Sequence, residues 1–100
     1  MNVLFHPAAL QEFLRSRRWY AARDVRVEQR FVNAVDDAIV RAMAEPESHP
    51  IFRQQFREVR IRRFPFALYF AVTDRQIVVY AIAHGHRRPG YWTRRRPPVG

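Results

Sequence analysis

The sequence predicts an α+β domain, and three observations carry that reading. Two amphipathic helical repeats stand side by side in the first half, three strand-like runs joined by short turns fill the second, and a short strand precedes the first helix. Strands segregated from helices in this way predict a helical hairpin covering one face of a mainly antiparallel sheet of three to four strands, with the other face partly open. One hundred residues at 48% apolar composition suffice for one domain, since a chain of this size buries roughly two-thirds of its unfolded surface. The expected division is a single domain over 1–93 followed by a basic, flexible tail over 94–100.

Asn2 to Phe5 reads as the opening strand. Pro7 follows as the first residue of a helix, where its missing N–H costs nothing. Ala9, Leu10, Phe13, Leu14 and Arg17 keep helical spacing, which assigns Glu12, Arg15 and Arg18 to solvent. That helix is expected to end near Tyr20 to Arg23. Asp24 is a good N-cap for a second helix, and Glu28 places negative charge at its positive end. Val27, Phe31, Val35, Ala38 and Ala42 form a long apolar stripe that runs to the Glu45-Pro46 stop.

Glu45 to Ile51 reads as a loop. In Phe56 to Arg63, Val59 and Ile61 alternate with Glu58, Arg60 and Arg62, the period-2 pattern of a half-buried strand with one cationic face. Phe66 to Val72 and Ile77 to Ala83 are β-branched and aromatic runs separated by Thr73-Asp74-Arg75-Gln76, which predicts a tight hairpin of two central strands. After Ala83 the chain becomes turn-rich, aromatic and basic, and Arg94-Arg95-Arg96-Pro97-Pro98 reads as a frayed end.

Composition narrows the functional classes. Eighteen basic residues against nine acidic give +9, and all eighteen are arginine, so the favoured partners are polyanions or an acidic protein. With no cysteine there is no thiolate nucleophile and no Cys-ligated zinc. Three glycines leave no Gly-rich phosphate loop, and no hydrolytic triad is visible. The apolar runs are far shorter than the roughly 20 residues that cross a bilayer. Met1 to Leu10 lacks a basic lead-in, which predicts a cytoplasmic location and no membrane partner.

The candidate binding residues are arginines. Arg57, Arg60, Arg62 and Arg63 share one predicted strand, while Arg87, Arg88 and Arg94 to Arg96 follow the last one. If the two groups converge, their guanidinium forks suit phosphates or carboxylates; the competing reading is a solvated face in an arginine-biased composition. His84 and His86, two apart on an extended backbone, present both rings to one side as an acid/base pair requires, although strand-end packing explains them as well. No carboxylate stands near them in sequence, so no metal site is assigned, and no cofactor is expected. His6 and His49, beside prolines, read as turn or cap residues. Tyr91 and Trp92 could stack a base or pack back over the sheet.

Several stretches together resemble one family. They are the opening strand before His6-Pro7-Ala8-Ala9, the Arg18-Trp19-Tyr20 end of the first helix, and Phe31 with Ala38-Ile39 running to Pro46. Arg60-Ile61-Arg62-Arg63-Phe64-Pro65-Phe66 and the ending His84-Gly85-His86-Arg87-Arg88-Pro89-Gly90-Tyr91-Trp92 complete the set. The chain is similar, over almost its whole length, to the RelE/ParE superfamily of type II toxins, a group often labelled plasmid stabilisation proteins. The resemblance implies a growth-inhibiting toxin paired with a cognate antitoxin, whose flexible, acidic segment folds on it to give a toxin–antitoxin hetero-oligomer. Apolar surface on both helices and at Tyr91-Trp92 is expected to receive that partner.

The superfamily divides by target. RelE-like members are ribosome-dependent mRNA endonucleases, and the resemblance carries their second-strand cations onto Arg60 and Arg62, their late arginine onto Arg87 and their terminal tyrosine onto Tyr91, with His84 or His86 available as acid/base. Their third-strand arginine falls on Ala67, and losing such a cation costs about 100-fold or more in rate. The Phe64-Pro65-Phe66 segment has instead the form of ParE-like members, which inhibit DNA gyrase. The expectation is therefore a ParE-like gyrase inhibitor that binds its target through Arg57, Arg60, Arg62, Arg63, Arg87, Arg88 and Trp92; the alternative is the mRNA endonuclease.

Overall fold

The computed structural model describes residues 1–98, so positions 99 and 100 of the expected tail lie outside the described residues. The chain runs β1 (Asn2–Phe5), α1 (Pro7–Ala21), α2 (Val25–Ala44), a single 3-10 turn (Pro46–Ser48), β2 (Ile51–Arg53), β3 (Phe56–Ile61), β4 (Phe66–Thr73) and β5 (Gln76–His84). The five strands form one sheet in the order β1-β5-β4-β3-β2, antiparallel throughout except that β1 runs parallel to β5. The sheet thus has five strands where three to four were expected. The additional one is β2, which starts at Ile51, the last residue of the segment that reads as loop, and pairs with β3.

The helices begin where their caps dictate. Nδ1 of His6 accepts from the Ala8 amide at 3.0 Å, and Pro7 occupies the first turn behind it. Asp24 caps α2 by accepting from the Arg26 amide at 2.8 Å. Arg17 donates to Glu28 at 2.8 Å and ties the two helices together. Their apolar stripes meet the sheet on one face: Phe31, Val35, Ala38 and Ala42 pack on Val59, Ile61, Leu68, Phe70, Ile77 and Val79. Phe31 is the centre, with ring centroids of Tyr20, Phe64 and Phe66 at 5.1, 5.3 and 5.4 Å.

The opposite face is closed as well, contrary to the expectation that it stays partly open. The segment after β5 folds back and lays Trp92 between Phe56 (4.9 Å) and Tyr69 (4.5 Å), with Phe52 beside it. Trp92 is 1% exposed, so Tyr91-Trp92 adds little to the open apolar surface; Leu10, Trp19, Val25 and Val40 on the helices do supply it. Three chain reversals use left-handed residues, the first at Gln54 (φ 51°) between β2 and β3. Asp74 (φ 45°) and Arg75 (φ 62°) form the two-residue β4–β5 hairpin loop, matching the right-handed twist of its strands. Arg63 (φ 69°) turns β3 into β4, so β3 ends at Ile61 and Arg62 and Arg63 sit in the turn, not on the strand.

His6 makes the fold pH-sensitive. Burial first, and the nearby Arg95 charge second, hold its imidazole below the usual value, so the neutral ring that accepts from Ala8 prevails at pH 7. A base with a depressed folded pKa is fully stabilising above its unfolded pKa, about 6.5, and loses that contribution as pH falls through the folded value. Melting temperature is therefore expected to fall between pH 7 and pH 5.5. His6→Asn, which keeps a cap acceptor without titrating, flattens that slope; an equal slope in the variant would assign the effect to another group.

Candidate functional site

The site grows from an irregularity in β5. Phe70 pairs with Val79 and Tyr69 with Ala81, so Tyr80 is an extra residue bulged out of the β4 ladder. The bulge turns Tyr80 and Ala81 to the same face and returns Ile82 to the helix side. On its other edge β5 loses its partner at the same level, because β1 ends at Phe5, opposite Val79. Past that point the Ile82 N–H and the Tyr80 C=O have no strand to pair with, and a buried polar group left unpaired costs about 1–3 kcal/mol.

Glu12 and Arg95 complete this edge. Glu12, 8% exposed, accepts from the Ile82 amide at 3.0 Å. Arg95 donates to the Tyr80 carbonyl at 2.8 Å and grips both Glu12 oxygens, at 3.0 and 2.9 Å. The Tyr91 hydroxyl donates to the same carboxylate. Assigning Glu12 to solvent was therefore wrong: its partners lie 70 to 83 residues away. Burial first, and then the bond to Glu12, push the Tyr91 phenol up to about 12. Burial alone would depress Arg95, yet the Glu12 carboxylate outweighs it and holds the guanidinium above its usual value.

Two depressions meet at His84, Arg87 and Tyr91. A cleft of about 540 Å³ separates the C-terminal half of α1 from β5, walled by Trp19, Tyr20, Phe66 and Ile82, with Arg15 and Arg87 also lining it. A smaller one of about 220 Å³ lies over Ala67 and Ala83 and is lined by Arg60, Arg87 and Arg88. Arg87 lies over the Tyr91 ring at 3.9 Å. The His86 amide donates to Nδ1 of His84 at 3.0 Å, leaving Nε2 to carry the proton of the neutral ring. The His84 ring stands edge-on to Phe66 at 5.0 Å.

The remaining predicted residues lie elsewhere. Arg57 points to the helix side and donates to the Glu47 and His49 carbonyls at 3.2 and 2.7 Å. Arg62 approaches Asp37 of α2 at 3.7 Å, and Arg63 is exposed in its turn. Of the two arginine groups expected to converge, the structure brings together Arg60 with Arg87 and Arg88. Among the described residues no cluster of three His, Cys, Asp or Glu could hold a metal ion, and no helix is long and apolar enough to cross a membrane. The Glu12–Arg95 pair is what sequence reasoning missed, since Arg95 was counted only among the cations after the last strand. Glu12 stands three residues after Ala9 and four before Ser16, on the edge of the buried stripe, and that spacing was the available signal.

The model of a protein family described as ParE toxin of type II toxin-antitoxin system, parDE, matches residues 3–89. No curated protein matches the sequence.

Proposed function

Because this chain belongs to the ParE toxin family of type II toxin-antitoxin systems, we propose that it arrests growth by docking its Arg60, Arg87 and Arg88 face on DNA gyrase in the cytoplasm. The family implies a cognate antitoxin. An acidic antitoxin segment suits a chain of charge +9, since complementary charge speeds encounter and fixes register.

Ala67 carries the docking reading. It stands opposite Arg60 in the ladder and is 5% exposed, so a buried methyl occupies the position where the nuclease resemblance requires a cation. Tyr91 points the same way, because its hydroxyl proton is committed to Glu12 and its phenol is pushed up to about 12. A surface of exposed guanidinium groups whose tyrosine proton is held by Glu12 suits binding better than phosphodiester cleavage.

The two targets separate in paired assays. Purified chain is expected to inhibit gyrase supercoiling and to leave a reporter mRNA intact in a reconstituted translation reaction. Arg87→Ala and Arg60→Ala should each weaken inhibition by about 5–30-fold, the effect of losing one interface arginine worth about 1–2 kcal/mol. New ribosome-dependent 5′ ends on the mRNA, with supercoiling unaffected, would replace the docking reading with the endonuclease one. His84, Arg87 and Tyr91, which meet at the junction of the two depressions, would then be the residues to test as catalytic.

A further inference from the structure

We propose that Glu12 is a positioning residue for the docking surface: acting through Tyr91, it sets where the Arg87 guanidinium stands. The inference rests on the docking reading for the role of Arg87, while the geometric link stands on its own observations. Arg87 is exposed and has no carboxylate partner among the described residues. What holds it is the Tyr91 ring, 3.9 Å beneath its guanidinium. An exposed arginine left to its rotamers loses much of its side-chain entropy on binding, whereas one already stacked has lost part of it beforehand.

The ring is in turn held by its hydroxyl, which donates to Glu12. Glu12 is fixed by three further bonds: from the Ile82 amide and from both terminal nitrogens of Arg95. Its two oxygens therefore join α1, the free stretch of the β5 edge and the segment carrying Tyr91. A carboxylate is the group that can accept all of these donors at once. The chain Arg95–Glu12–Tyr91–Arg87 runs from a buried ion pair to an exposed cation, so a change at a residue that touches no target alters the surface the target meets.

Two variants cut the chain at different points. Glu12→Gln keeps the shape but loses the charge that holds Arg95. Tyr91→Phe keeps the ring and the Glu12–Arg95 pair and removes only the tether, so it remains informative if the first variant folds poorly. By NMR, the Arg87 δ-methylene protons, displaced by the Tyr91 ring current in the native chain, are expected to return to the positions of a free arginine in both variants. In gyrase supercoiling assays each variant is expected to raise the half-inhibitory concentration by about threefold to fivefold. With Arg87→Ala already present, the further change should be less than about twofold, because both substitutions then act through one side chain.

Unchanged Arg87 resonances in both variants would overturn the proposal. So would an equal loss of inhibition with and without Arg87, which would mean that Glu12 acts through general stability. If Arg87→Ala alone leaves inhibition intact, the docking reading fails and the positional role of Glu12 toward the target fails with it. The NMR arm separates the two cases, since it reads the Glu12–Arg87 linkage without any target.

Discussion

Glu12→Ala is expected to lower the unfolding free energy by about 3–5 kcal/mol, the range for removing one partner of a buried ion pair. The substitution leaves the Arg95 guanidinium, whose side chain is 18% exposed, without its counter-charge. It also strands the Ile82 amide and the Tyr91 hydroxyl. At this chain length each kcal/mol shifts the melting temperature by about 4–8 °C, so the loss is readily read in a thermal scan. The double variant Glu12→Ala with Arg95→Met should recover part of it, because the uncompensated charge goes too. A loss under about 1 kcal/mol for Glu12→Ala would show that water reaches the site and replaces the carboxylate.

Trp92→Ala is expected to cost a similar amount, about 3–5 kcal/mol, as for other large aromatic truncations in a packed core. The indole touches Phe52, Phe56 and Tyr69 on three strands, β2, β3 and β4, so its removal opens a void that three rigid rings cannot close. Urea unfolding followed by far-ultraviolet circular dichroism measures the loss. Trp19 is 54% exposed, so in the native chain the blue-shifted part of the tryptophan emission belongs to Trp92 and should vanish in the variant. Stability within about 1 kcal/mol of the native chain would mean that the segment after β5 is not packed on the sheet in solution.

These two residues mark the boundary of what the sequence discloses. The course of α2 was legible to its ends, because Asp24, the stripe from Val27 to Ala42 and Pro46 are local signals that agree. The β4–β5 hairpin was legible for the same reason. β2 was not, since three residues after Pro50 are too few for a period to register. Of the site, Arg60, Arg87, Arg88, Tyr91 and His84 were named from sequence and share one region of the surface. Arg57 has the parity of Val59 and Ile61, so alternation already placed it on the face opposite Arg60, where backbone carbonyls receive it; Arg62 has the parity of Arg60, but β3 ends at Ile61 and Asp37 of α2 stands near it. The Glu12–Arg95 pair escaped because its meaning depends on the Tyr80 bulge and on where β1 stops, and neither leaves a periodic mark.

The pairing of β1 with β5 also has a consequence for the order in which the molecule is assembled. Asn2 lies beside Gln76, and Glu12 closes on Arg95 across 83 positions, whereas the α1–α2 hairpin needs only neighbours in the chain. Loop-closure entropy delays distant contacts relative to local ones, so during synthesis the helices can form while the opening strand still waits for the last one to emerge. Tyr91, and the arginine resting on it, become fixed only at that final closure. A partly made chain therefore presents greasy helices but no ordered cationic face, and the proposed docking surface takes shape only once Arg95 has closed on Glu12.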